Sequence, residues 1–175
     1  MPTKYDWYQT ITEKDVQQGD FIFDLEVPLV QEVGVEEPKV KMETYDVIIM
    51  TQSCDIPKKS IKQIAMCPVW DISKLEEDNA QFKDENYLED LRRGRDYKYH
   101  LINKCDIDGF KSNYKIVQFE MPLIMKKETV IEELESRGKH LRLLPPYREE
   151  MSQRFGLYFA RVAKPIDIPE FVKSK

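Results

Sequence analysis

A chain of 175 residues with 41% hydrophobic residues, 34% charged residues and a net charge of −5 is long enough to bury a core without disulfide or metal staples. Its two Trp, nine Tyr and eight Phe exclude a wholly disordered polymer, and its acidity speaks against a general nucleic-acid coat. The longest apolar runs, such as Val47-Ile48-Ile49-Met50, are strand-sized rather than membrane-sized, and the opening Met-Pro-Thr-Lys-Tyr-Asp lacks the pattern of a secretory signal. The expectation is one soluble, cytoplasmic domain over residues 1–175, with no cofactor, no metal and no membrane partner.

The turn Gln17-Gln18-Gly19-Asp20 opens the first clear element, a strand over Phe21–Val27 that Pro28 closes or marks as an edge. Residues 33–41, with Gly34 and Pro38, are too broken for a buried strand and read as a loop or hairpin arm. Asp46–Thr51 is the strongest strand signal. It is apolar on both faces and so belongs at the centre of a sheet. Ile64–Trp70 is a third strand, its end placed near an edge by Pro68. Residues 73–94 read as a helical insertion. Ser73-x-x-Glu76 fits a capping box, Leu75, Phe82, Tyr87, Leu88 and Leu91 carry the apolar positions, and Gly94 stops the helix after Arg92 and Arg93. The sheet resumes with Tyr97–Asn103 and, past the turn Asp106-Ile107-Asp108-Gly109, with Tyr114–Met121. Lys127–Ser136 reads as a short helix ended by Gly138, His140–Leu144 as a short strand, and Pro145-Pro146 as punctuation. A closing helix runs over about 147–162, with Met151, Phe155, Tyr158, Phe159 and Val162 as its stripe and Glu150 set to pair with Arg154. The order is α+β: a small, strongly bent antiparallel sheet with a helical insertion and a C-terminal helix.

Two stretches carry candidate chemistry. Thr51-Gln52-Ser53-Cys54-Asp55 leaves the central strand, where a rigid element holds a polar loop at the surface. Cys54 reads as a nucleophile if a base lowers its pKa, with Asp55 orienting that base. The other reading is a structural strand exit, with Ser53 and Asp55 forming an Asx- or Ser-type turn before Pro57. No sequence argument brings the two histidines, His100 and His140, to Cys54. The odd set Cys54, Cys67 and Cys105 suits a reducing compartment, and its wide spacing reads as partly buried thiols rather than zinc ligands. The second stretch runs from Lys139 to Arg148 and continues through Gln153, Arg154 and Arg161. It sets cations among aromatics, which suits phosphates or acidic protein surfaces. As a partner-binding set it comprises Arg142, Tyr147, Arg148, Gln153, Arg154 and Arg161. The alternative is a solvated helix with internal ion pairs through Glu149 and Glu150. Lys58, Lys59 and Lys62 read as solvent cover or as a phosphate attraction. The sequence has no phosphate-binding Gly-rich loop, dinucleotide fingerprint, nucleophile elbow or paired-His metalloprotease helix.

Gly19-Asp20 opening an apolar strand, followed after a loop by a very apolar strand ending in Thr51 or Ser53, resembles the MazF/PemK toxin family over about residues 16–70. The resemblance implies an SH3-like barrel acting as a metal-independent endoribonuclease under antitoxin control, with Thr51 or Ser53 as the strand-exit hydroxyl. The sequence departs from the family at Thr44-Tyr45-Asp46, where an Arg-Pro pair supplies a catalytic arginine. Losing a cation that stabilises developing negative charge costs on the order of 10² or more in rate. Thr-Gln-Ser-Cys-Asp-Ile at 51–56, Leu-Arg-Leu-Leu-Pro-Pro-Tyr-Arg-Glu at 141–149 and Ser-Gln-Arg-Phe-Gly at 152–156 are together similar to bacterial proteins of defence-associated loci. Among these are the CalpT-like regulators, MazF-like proteins that accompany a CRISPR-linked Lon-type protease and hold a sigma factor until cut.

The resemblance leads to the expectation of a non-catalytic MazF-like, protein-binding regulator in antiviral defence. Such a protein would hold a sigma factor until a regulatory protease cuts it, within 31–44 or 76–96. The alternatives are an endoribonuclease toxin using Thr51 and Ser53, with RNA as partner, and a cysteine-dependent enzyme using Cys54 and Asp55. Acidic residues gather in 26–43 and 71–90, and cations after Lys58 and from Lys139 to Arg161. That segregation suits a protein partner better than a small substrate.

Overall fold

The computed structural model describes residues 5–30 and 39–160. In chain order its elements are β1 (Tyr8–Ile11), β2 (Phe21–Val30), β3 (Val40–Ile49), β4 (Gln63–Asp71), α1 (Ile72–Asp78), a 3-10 turn (Ala80–Lys83), α2 (Glu85–Arg92), β5 (Tyr99–Ile102), β6 (Lys115–Gln118), β7 (Leu123–Lys126), α3 (Lys127–Arg137), β8 (His140–Leu143) and α4 (Tyr147–Phe159). The chain is thus α+β, with antiparallel pairing throughout the strands described.

The main sheet has the order β2-β3-β4-β6-β5, and β7 also joins β4. Strand β3 is central, as its apolar run predicts, and alternation along it separates two cores. Val47 and Ile49 pack with Ile22, Ile64 and Met66 beneath Val130 and Leu134 of α3. Ile48 and Met50 pack with Phe21, Cys67 and Val117 against Leu141 and Leu143 of β8 and Met151 of α4. Near its start β2 slips register between Ile22 and Leu25. There Asp24 adopts a φ of 52° and its N–H donates to Asp46 Oδ1 at 3.1 Å, a bulge that bends the strand. A separate pair, β1 with β8, runs from Tyr8↔Leu143 to Ile11↔His140 and meets the main sheet through an Asp20↔Arg142 bridge. Among the described residues the strands do not close into a barrel.

Several expectations are corrected. Pro68 does not sit at an edge, because β4 has three neighbours. The Met50 N–H donates to the Ala65 carbonyl, so the odd-numbered residues of β4 direct their backbone toward β3 and the even-numbered ones away from it. The missing N–H of Pro68 therefore points into the gap between the β7 pairing, which ends at Met66↔Leu123, and the β6 pairing, which begins at Val69↔Val117. Pro28 lies within β2 opposite Met42. It is tolerated because β2 is the edge of its sheet. The insertion over 73–94 is helical, but Ser73 is not its cap. Asp71 is the N-cap residue, its carboxylate accepting from the Ser73 N–H. The insertion has its own small core of Ile72, Phe82 and Leu91 on Ile116. Strands β1 and β7 have no counterpart in the sequence reading. Helix α4 ends at Phe159, which is exposed rather than part of the buried stripe. Val162 and Arg161, like residues 31–38, lie outside the described residues.

Candidate functional site

The site begins at the turn entering β2. Gly19 has a φ of 88°, and a Cβ there would stand 3.0 Å from the Leu143 carbonyl oxygen and 3.2 Å from Cδ of Arg148. Glycine is therefore required both for the backbone conformation and for the close approach. The Gly19 N–H donates to the Ile49 carbonyl, and the Leu143 N–H donates to the Gly19 carbonyl, so the turn is tied to β3 and β8 together. Asp20, fully buried, accepts from the Gln17 N–H at 2.7 Å and from Arg142 Nε and Nη2 at 2.5 and 2.9 Å. Arg142 Nη2 also donates to the Asp15 carbonyl. Burial works against the Arg142 charge, but the hydrogen bonds and charge of Asp20 outweigh it and hold its pKa above the ordinary value. His140 Nε2 lies 3.2 Å from Asp20 Oδ2, within ion-pair range, yet its angle makes no hydrogen bond and the buried nitrogen has no other partner among the described residues.

Beside Gln18 and Arg148 lies an open cleft of about 330 Å³. One wall is the exit of β3. Thr51 Oγ1 accepts from the Ala65 N–H at 2.8 Å and Ser53 Oγ from the Gln18 N–H at 3.1 Å. The Gln18 side-chain amide donates to the Met50 carbonyl and to Ser152 Oγ, which stitches this wall to α4. The opposite wall is α4 itself, contributing Arg148, Glu149, Ser152 and Gln153. Arg148 Nη1 donates to Gln17 Oε1 at 3.3 Å, and its Nη2 donates to Glu149 Oε1 at 2.7 Å.

Comparison with family models, curated proteins and solved structures finds no match to the chain.

The fold therefore joins parts of the two candidate stretches and separates the rest. Ser53, Cys54, Arg148 and Gln153 share the cleft. Thr51 is turned inward onto Ala65. Asp55 pairs with Lys58 Nζ at 2.5 Å and so orients no base, while the exposed Cys54 has Gln52 Oε1 at 3.8 Å. Ser53 bonds to Gln18 rather than closing a local turn. Arg142, proposed as a partner-binding cation, is instead the internal mate of Asp20. Tyr147 stacks on Trp7 at 3.5 Å, with the rings within 8° of parallel. Arg154 does not pair with Glu150. Its Nη2 donates to the carbonyls of Asp96 and Tyr99 at 2.6 and 3.2 Å, because α4 presents it to the loop entering β5. Arg161 lies outside the described residues. His100 stacks on Phe119, and burial followed by the Arg154 charge pushes its pKa down to about 3. Burial likewise raises the Cys67 thiol to about 12. Among the described residues no group of three His, Cys, Asp or Glu is placed to hold a metal.

Gln18 and Ser152 escaped the sequence reading. Each is an ordinary polar residue beside a turn or on a helix, and only the tertiary meeting of the two gives them a role. Asp20 was visible, but as a turn residue. No local signal distinguishes that from a buried acid waiting for an arginine 122 residues away.

Proposed function

We propose that the chain is a non-catalytic MazF-like regulator that binds another protein through the cleft between the β3 exit and α4. The observation that carries this reading is the composition of that cleft. The side-chain amides of Gln52 and Gln153, the hydroxyls of Ser53 and Ser152, the Glu149 carboxylate and the Arg148 guanidinium form a mixed donor and acceptor set suited to peptide groups. The Gln18 amide, bonded to the Met50 carbonyl and to Ser152 Oγ, ties its two walls together. Both histidines are held in the interior, one on Phe119 and the other against Asp20, and neither lines the cleft. The bulge at Asp24, the divided pairing of β4 and the bridge from β2 to β8 support a strongly bent sheet of SH3-like kind. In its finer form the reading takes a sigma factor as the partner, released in antiviral defence when a Lon-type protease cuts the regulator in the cytoplasm. Calorimetric titration with a purified sigma factor from the same genome tests it. Arg148→Ala with Gln153→Ala is expected to weaken binding by about tenfold or more, whereas no binding by the unaltered chain would remove the sigma factor as partner.

One observation favours a second reading. Arg148 brings a guanidinium from α4 into the cleft of Ser53, a cation that Thr44-Tyr45-Asp46 does not supply. In this reading the chain is a metal-independent endoribonuclease whose transition-state charge Arg148 stabilises. Incubation with structured and unstructured RNA in EDTA separates the two. Cleavage that disappears in both Ser53→Ala and Arg148→Ala would overturn the non-catalytic reading.

A further inference from the structure

A second surface lies on the other side of α4. Two adjoining hollows of about 370 and 320 Å³ share Arg92, Leu101 and Tyr114 and form one groove along β5. Leu88, Leu101 and the 40% exposed ring of Tyr114 line it, and the Trp7–Tyr147 stack stands at one end. The charged side chains that line it are mostly acidic, and Lys104 Nζ stands over one face of the Tyr114 ring at 4.9 Å from its centre. Glu150 marks the end near Trp7, while Glu85 and Glu89 mark the other. Arg92 is spent on Glu89 through two hydrogen bonds of 2.6 and 2.7 Å. Glu85 and Glu150 form no ion pair among the described residues.

Strand β5 is the edge of its sheet, and a bare edge invites an added strand. Here that route is closed. The Phe119 N–H donates to the Lys98 carbonyl, so His100 and Ile102 direct their backbone groups toward β6, and Tyr99, Leu101 and Asn103 direct theirs outward. The outward carbonyl of Tyr99 accepts from Arg154, and that of Asn103 accepts from the Tyr8 hydroxyl at 2.5 Å. Only Leu101 remains between two capped positions, too little for a ladder. An occupant must therefore bind by its side chains. A polyproline II segment needs no ladder and lays prolines on flat aromatic faces.

We propose that this groove docks an extended, proline-containing peptide segment that carries a basic residue for Glu85 or Glu150. The proposal does not rest on the cleft described above, since α4 divides the two surfaces. The test is an amide-shift titration of the full chain with the blocked peptide acetyl-Arg-Ala-Leu-Pro-Pro-Leu-Pro-amide. Saturable shifts are expected at the Trp7 indole, Leu101 and Tyr114, with Ser53 and Gln153 unmoved. Tyr114→Ala should weaken binding by about tenfold, and its unchanged β4 amide signals would verify the fold. Glu85→Lys with Glu150→Lys should weaken it several-fold and abolish its salt dependence. Absence of shifts in the groove would overturn the proposal. So would equal binding of a peptide with every proline replaced by alanine, or groove shifts with oligouridine in place of the peptide.

Discussion

At His100 an imidazole is enclosed by the second core, stacked on Phe119 and facing the Arg154 charge. Its protonated form is unwelcome in the folded state and welcome in the unfolded one, where the ordinary value near 6.5 applies. The sign of the linkage follows. Above pH 6.5 neither state binds the proton and the stability is intact. Below it the unfolded chain takes up a proton that the folded chain refuses, and stability falls by roughly 1.4 kcal/mol per pH unit down to the folded value. Urea denaturation is expected to show a loss of about 2 kcal/mol between pH 7 and pH 5, and His100→Phe should remove most of that slope. An unchanged slope in the variant would assign the loss to other groups. The sequence marked both histidines as unattached to any site. It could not say that each would be interior, because alternation around His100 is only rough and the partners of His140 come from the opposite end of the chain.

Among the elements, α4 does more than its apolar stripe announces. Met151 anchors it in the core, Arg148 and Ser152 face one surface, Tyr147 and Glu150 face another, and Arg154 reaches beneath the loop that carries Gly94. Gly94 has a φ of 69°, and a Cβ there would fall 1.8 Å from Arg154 Nη1, so the guanidinium occupies space that only glycine leaves open. Arg154 thereby clamps the segment between α2 and β5 through the Asp96 and Tyr99 carbonyls. Arg154→Ala is expected to raise hydrogen exchange across residues 93–99 and in α2, with protection in β3 and β4 unaltered. Uniform loosening of the whole chain would contradict a local clamp. Spacing of apolar residues made α2 and α4 legible in advance, an unbroken apolar run made β3 so, and Gly138 marked the end of α3. None of these signals revealed β1 or β7, which exist only by pairing with distant strands, or the middle position of Pro68, which depends on where two neighbours part.

For the molecule as a whole, three cores explain which parts hold and which yield. Two of them enclose β3 from opposite sides, while the insertion rests on Ile72, Phe82, Leu91 and Ile116 alone. Arg92, Arg93 and Arg95 stand exposed at its end, paired with Glu89 and Asp90. Exposed pairs of this kind contribute little to stability. Brief trypsin treatment is therefore expected to cut first at 92–95, within the 76–96 segment anticipated for regulatory cleavage, and the nicked halves should remain associated in gel filtration. First cutting within β3 or β4 would show the insertion to be better held than its core implies. Arg142 takes no part in the surface charge, being internal.

The union of Asp20 with Arg142 also bears on how the chain is made. A ribosome delivers the acid 122 residues before its arginine, and β1 before β8. The N-terminal segment therefore has to wait, its carboxylate still solvated, until nearly all of the described chain has emerged. Any polypeptide stopped short of residue 142 lacks the cation that makes burial of that acid tolerable. A product that ends before residue 142 is thus denied the native arrangement around Asp20.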